Sequence, residues 1–260
     1  MASVGTDSTV IATNPWPRLE LLGLPVDRCT RGQALERCSK ALDSPSAEPP
    51  LQVVTLNPEM VMQARRVPEL ARAVGAAGMV LADGAGIAWA ARQLGSPVPE
   101  RIPGVDFLDD LCSLAAAKGR GVFLLGAAPG VAEAAGRRLL GDHPGLRVAG
   151  WASGSPAEGE AGPLVEQVRE SGAGLLAVAF GAPAQEIWLG RHLRLTGCRV
   201  GIGVGGSFDY LAGRVPRAPA FLRRAGLEWG FRLLRQPWRL PRMLRGSAFF
   251  LAVRREGSSR

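Results

Sequence analysis

Histidine is scarce, with His143 and His192 the only two in 260 residues. A histidine-built metal site or a Ser-His-Asp triad therefore has almost no material to work with. Cysteine is sparse as well. Cys29, Cys38, Cys112 and Cys198 show neither C-x-x-C spacing nor a neighbouring histidine cluster, so reduced, mostly buried thiols of a cytosolic protein are expected. No uninterrupted apolar run reaches about 18 residues, and no membrane-spanning helix is expected. Met1 to Trp16 is polar, without a basic flank leading into an apolar stretch, which argues against a cleaved secretory leader.

What is present describes a folded chain with an uneven distribution of charge. Apolar residues make up 47% and charged residues 21%, the profile of a globular protein. The length suits one α/β domain plus an appendage. The net charge of +8 is concentrated at one end: from Arg214 to Arg260 there are twelve arginines against Glu228 and Glu256. A near-neutral body with so basic an end implies an acidic partner for that end.

The body alternates strand-like and helix-like segments. Strands are expected at Leu19–Leu24, Leu51–Leu56, Met79–Ala82, Gly121–Leu125, Leu146–Trp151, Leu175–Phe180 and Arg199–Val204. Between them fall helical patterns at Arg31–Leu42, Pro58–Arg66, Pro68–Val74, Ile87–Leu94, Val105–Lys118, Pro129–Leu140, Gly162–Glu170 and Pro183–Leu195. This rhythm implies a Rossmann-like α/β fold, a mostly parallel sheet with helices on both faces. A short N-terminal segment (1–17), an α/β core (18–212) and a basic helical appendage (213–260) divide the chain.

Ligands of such sheets bind beyond the carboxyl ends of the strands. The polar residues there are Thr55, Asn57, Asp83, Gln185, the Gly126–Gly130 turn and the Gly205–Asp209 segment. Gly126 to Gly130 follows a strand and opens a helix, so its backbone N–H groups suit a phosphate oxygen, or simply form a βα turn. Asp83-Gly84 reads either as a tight turn or as a carboxylate on the rim beside Thr55 and Asn57, placed to take a proton from a hydroxyl. Gly201, Gly203 and Gly206 spell G-x-G-x-x-G, but no long helix follows directly. A nicotinamide-dependent oxidoreductase stays open as the alternative.

The tail has its own pattern. Arg232, Arg235, Arg239 and Arg242 are spaced to share a helix face, with Trp229, Phe231, Leu233, Leu234, Trp238 and Leu240 alongside. Pro237 and Pro241 break the segment into two short helices, the second starting near Pro237. Arginine with tryptophan and leucine suits an anionic membrane surface. Proline-interrupted, leucine-rich turns do not suit a DNA groove, and no nucleic-acid partner is expected.

Thr55-Leu56-Asn57-Pro58-Glu59, Leu81-Ala82-Asp83-Gly84 and Arg101-Ile102-Pro103-Gly104-Val105-Asp106 together resemble the WecG/TagA/CpsF family, glycosyltransferase family 26. Phe180-Gly181-x-Pro183-x-Gln185-Glu186 and Gly203-Val204-Gly205-Gly206-Ser207-Phe208-Asp209 continue the resemblance, which runs from about Leu19 to Leu244. It implies an inverting, metal-independent transferase without a cofactor. The implied donor is UDP-N-acetylmannosamine or its uronic acid, and the acceptor a polyprenyl-diphosphate-linked N-acetylglucosamine, for teichoic acid or another surface polysaccharide. It further implies Asp83 as general base with Thr55 beside it, and Arg101 and Gln185 lining the donor and acceptor site. Asp209 would lie in the nucleotide region, while Arg232, Arg239 and Arg242 come from an appendage that folds over the pocket and meets the membrane. The implied location is cytoplasmic, on the inner face of the cell membrane; a homo-oligomer is compatible with the sequence. Absence of a D-x-D motif fits the metal-independent chemistry, because arginines can offset charge on a departing diphosphate.

Overall fold

A computed structural model describes residues 15–219, 221–222, 228–235 and 240–258. The chain opens with a hairpin, β1 (Arg18–Leu21) and β2 (Leu24–Asp27), where a single strand over Leu19–Leu24 was expected. Its two-residue turn has Leu22 at φ 49° and Gly23 at φ 80°, the doubly left-handed geometry that matches hairpin twist. Leu-Gly carries none of the usual Asn-Gly turn signal, so Leu19–Leu24 read as one apolar strand. The Leu22 N–H is held by Glu256 Oε2 at 3.1 Å.

Next come α1 (Arg31–Asp43), β3 (Leu51–Leu56), α2 (Pro58–Ala64), α3 (Pro68–Ala76), β4 (Met79–Ala82), α4 (Ala85–Gln93) and α5 (Gly104–Ala117). The second half runs β5 (Gly121–Gly126), α6 (Val131–Asp142), β6 (Arg147–Ala152), α7 (Glu158–Glu170), β7 (Ala173–Ala179), α8 (Ala184–His192), β8 (Val200–Gly203) and α9 (Ser207–Leu211). The helix expected to run to Leu195 stops at His192 and tightens into a 3-10 turn, Leu193–Thr196, closed by Gly197 at φ 74°. Helix α7 starts at Glu158, ahead of the expected Gly162, and carries Pro163 inside it. Glu160 anchors that start, accepting from the Ser155 N–H and hydroxyl at 2.8 and 2.7 Å.

Six strands form one sheet in the order β4-β3-β8-β7-β5-β6, every pairing parallel. Successive residues enter opposite cores. Val53, Met79, Leu81, Val122, Leu124, Leu175, Ala177 and Ile202 pack with α1, α5 and α6 residues such as Leu42, Phe107 and Leu139. Their neighbours Val54 and Val80 pack with α2, α3 and α4, while Phe123, Leu125, Leu176 and Val178 meet α7 and α8. Both faces are covered, which explains the strands' near-continuous apolar composition.

The described residues continue into α10 (Glu228–Arg235) and α11 (Leu240–Gly257). The second is described from Leu240 onward, and the expected start near Pro237 is not tested. Pro237 lies outside the described residues. Helix α11 also does more than expected of a surface appendage. Phe249 and Val253 are fully buried in the α2–α4 core, and Phe250 meets Trp89 edge-on at 5.0 Å.

Candidate active site

The strand order reverses between β5 and β7. The connection leaving β5 runs outward to β6, and the one leaving β7 runs inward to β8. Open parallel sheets bind ligands in the crevice at such a reversal. Gly126 ends β5 there at φ 101°, where a Cβ would lie 2.9 Å from the Ala179 carbonyl carbon and from the Phe180 ring. Backbone contact this close closes the turn that leads into α6. Asp209 sits in the first turn of α9, with its carbonyl taking the N–H groups of Arg214 and Val215 at 2.9 and 3.2 Å.

A second group of residues lies on the rim of β3 and β4. Asp83 follows β4 and extends its pairing, with the Asp83 N–H on Leu56 O at 2.8 Å and the Ile102 N–H on Ala82 O at 2.9 Å. The latter bond brings residues 101–104 back beside Asp83. Helix α4 takes Gly84 as its N-cap and receives no side-chain cap, so the Asp83 carboxylate is not consumed by the turn. It accepts the Gly104 N–H instead.

Protein surrounds the Asp83 carboxyl, although the residue keeps an opening to solvent. Burial is the main reason its pKa rises to about 7, with the Glu228 and Asp106 charges adding to the rise. The Gly104 N–H and Arg101 oppose it. Thr55 is buried next door, its Oγ1 3.5 Å from Gly203 O. A Cβ on Gly104 would come within 2.9 Å of that Oγ1, so glycine permits the close approach that joins Thr55 to the Asp83 shelf.

Two expected ligand-binding residues turn out to have internal work. Asn57 caps α2, with Oδ1 accepting the Met60 N–H at 3.0 Å; its amide nitrogen is not needed for the cap. Gln185 is buried, and its Oε1 accepts the N–H groups of Gly181 and Gly205, each at 3.0 Å. One side chain thus ties together the loops after β7 and β8, so its direct effect is on loop position. Arg239 and the side chains of Arg232 and Arg242 lie outside the described residues.

Three groups were missed. Arg217 lies within 2.7 Å of Asp106 Oδ1 and 3.6 Å of Glu228 Oε1. Glu228 carried a legible signal as one of two acids among twelve tail arginines. Glu186 is 1% exposed, its Oε1 accepting from Gln185 Nε2 at 2.7 Å while Oε2 has no hydrogen-bond partner among the described residues. Burial pushes the Glu186 carboxyl up to about 7.

A carboxyl on the rim of a parallel sheet, a glycine-lined crevice farther along the same rim and an arginine-rich tail fit a group-transfer enzyme. The sequence profile of the WecG/TagA/CpsF family of glycosyl transferases matches residues 19–260, and the chain belongs to that family. The match continues past Leu244, so α11 is part of what the family shares.

Among similar proteins is a Bacillus spizizenii N-acetylglucosaminyldiphosphoundecaprenol N-acetyl-beta-D-mannosaminyltransferase, 34% identical over 201 residues and covering 77% of each chain. A Bacillus subtilis protein of the same name is 30% identical over 204 residues, 78% of this chain and 79% of its own. A Staphylococcus aureus protein of that name is 31% identical over 217 residues, 84% of each chain. The nicotinamide alternative is not supported. Its glycine signature leads only into α9, five residues long.

Proposed function

We propose that the chain transfers N-acetylmannosamine, or its uronic acid, from a UDP-sugar to a polyprenyl-diphosphate-linked N-acetylglucosamine, with inversion. The observation that carries this reading is the Asp83 carboxyl on the β4 rim, with a pKa near the working pH and Thr55 and Arg101 around it. In the reaction the acceptor hydroxyl oxygen attacks the anomeric carbon and its proton passes to Asp83. The bond from that carbon to the donor diphosphate breaks, and UDP leaves with the electron pair. Asp83 must be ionised for this, and a pKa near 7 combines ready ionisation with useful basicity.

The nucleotide belongs at the β5–β7 crevice beside Gly126 and Asp209, and the acceptor at Asp83. Three strands intervene between β4 and β5, a separation of about 19 Å. An extended donor therefore lies across the ends of β7 and β8, over the loops that Gln185 ties together. Arg101 and the tail residues Arg232, Arg239 and Arg242 offset charge on the leaving diphosphate, as guanidinium groups do without a metal. The test is a donor screen with a short-chain lipid-diphosphate-N-acetylglucosamine acceptor, run in EDTA. Transfer from UDP-N-acetylmannosamine or its uronic acid at an undiminished rate is expected; loss in EDTA with rescue by magnesium or manganese would refute the metal-free chemistry.

The enzyme works at the cytoplasmic face of an anionic membrane, attached peripherally. Two features support this: the tail's net positive charge, and the exposure in it of Phe221, Leu234, Phe250 and Leu251 at 68, 84, 41 and 61%. No helix among the described residues is long and apolar enough to cross a membrane. Each basic residue near an anionic leaflet contributes about 1 kcal/mol. The protein should sediment with anionic vesicles at low salt, release at high salt, and ignore neutral vesicles; equal binding to both kinds would remove the electrostatic attachment.

A further inference from the structure

Arg217 joins three parts of the molecule. It leaves α9 on the segment that leads to the tail, and its guanidinium lies between Asp106 and Glu228 at 2.7 and 3.6 Å. All three side chains are about three-quarters buried, with exposures of 26% for Arg217, 27% for Asp106 and 24% for Glu228. Asp106 stands in the first turn of α5 and Glu228 in the first turn of α10, both positions where a helix favours negative charge. The cation therefore bridges two helix N-termini, one from the body and one from the tail. This is a specific docking contact for α10.

The same contact brings a tail carboxylate towards Asp83. The charges facing Asp83 are Arg101 from the preceding loop, Asp106 from α5 and Glu228 from α10, with the Gly104 N–H bonded to it directly. Arg217 stands between the two acids. An acid placed here works against the basic tail's attraction to an anionic surface, so an attachment role does not account for Glu228. Its contact with Arg217, which also meets Asp106 two residues from the Gly104 that bonds Asp83, does.

We propose that Glu228 is a positioning residue for the transfer reaction, held by Arg217 against Asp106 so that docking of α10 sets the basicity of Asp83. The proposal rests on Asp83 being the base of the reaction described above. Like charge nearby strengthens a carboxylate's hold on a proton, so Glu228 makes Asp83 a better acceptor for the hydroxyl proton. A displaced tail takes this carboxylate away with it. Without this carboxylate the site holds a weaker base.

The experiment titrates the Asp83 carboxyl by carbon-13 NMR in substrate-free protein, with Asp83→Asn identifying the signal. Glu228→Gln should lower the midpoint by about half a pH unit or more. Arg217→Gln, which breaks the contact that holds Glu228 at the site, should lower it as well. The acid limb of the pH–rate profile should move in the same direction. A midpoint unchanged in Glu228→Gln would overturn the proposal and leave Glu228 as a docking contact only. Failure of every donor in the transfer assay would instead refute the reaction, since the titration needs no substrate.

Discussion

Asp83→Asn should lower turnover by about a hundredfold or more while the protein stays folded. Asparagine keeps the shape of the side chain and an oxygen for the Gly104 N–H, so the shelf beside Thr55 survives. What disappears is the group that takes the hydroxyl proton. The wild-type rate should rise with pH through about 7, the point at which the buried carboxyl ionises, and the variant's residual rate should lack that limb. Stability gives an independent check with a defined sign. The Asp83 pKa rises on folding from 3.8 to about 7, so its contribution is fully present below about pH 4 and is lost as pH climbs through 7. The variant should therefore match or exceed the wild type in melting temperature at pH 8. Initial rates and melting curves from pH 5.5 to 8.5 test both; unchanged turnover in a folded variant would remove Asp83 from the chemistry.

Much of this site was legible because the strands announce where they end. Apolar runs such as Leu51–Leu56 and Met79–Ala82 stop at a polar residue, and parallel pairing sets those stops side by side on one rim. Asp-Gly left the carboxylate's role undecided, since a turn and a base use the same dipeptide. The Gly104 N–H settles where the carboxyl bonds, and that bond depends on the chain returning some twenty positions later, which no local pattern encodes. Gln185 was legible as a rim residue, but its two backbone partners, Gly181 and Gly205, became visible only with the loops in place. Glu186 was named in its motif without a role, because its meaning comes from burial beneath Gly203, where a Cβ would sit 2.7 Å from its Oε1. The tail was read from its arginines and from the apolar residues between Trp229 and Leu240, a stretch that stops short of Phe249.

Phe249→Ala should be among the most destabilising single changes in the chain, at about 3–5 kcal/mol, although it lies in the tail. The side chain is fully buried in the core that holds Met60 and Val61 of α2 and Ile87 and Ala90 of α4. It also meets the ring of Phe250 edge-on at 5.5 Å. Truncation to alanine removes the ring and leaves a cavity that helices on both sides can fill only by moving. For a chain of this size such a loss lowers the melting temperature by on the order of 10 °C. Arg254→Ala, on the exposed side of the same helix, should stay within about 0.5 kcal/mol of wild type. The contrast, measured by urea or thermal unfolding, bears directly on how the tail arginines can be tested. Deleting everything after Gly213 would strip α11 from α2 and α4 and expose that core, so lost activity would report unfolding as much as lost cations. Single arginine substitutions with α11 in place avoid this confusion. Should Phe249→Ala prove as stable as wild type, α11 would be dispensable to the body, and truncation would become the cleaner test of the arginines.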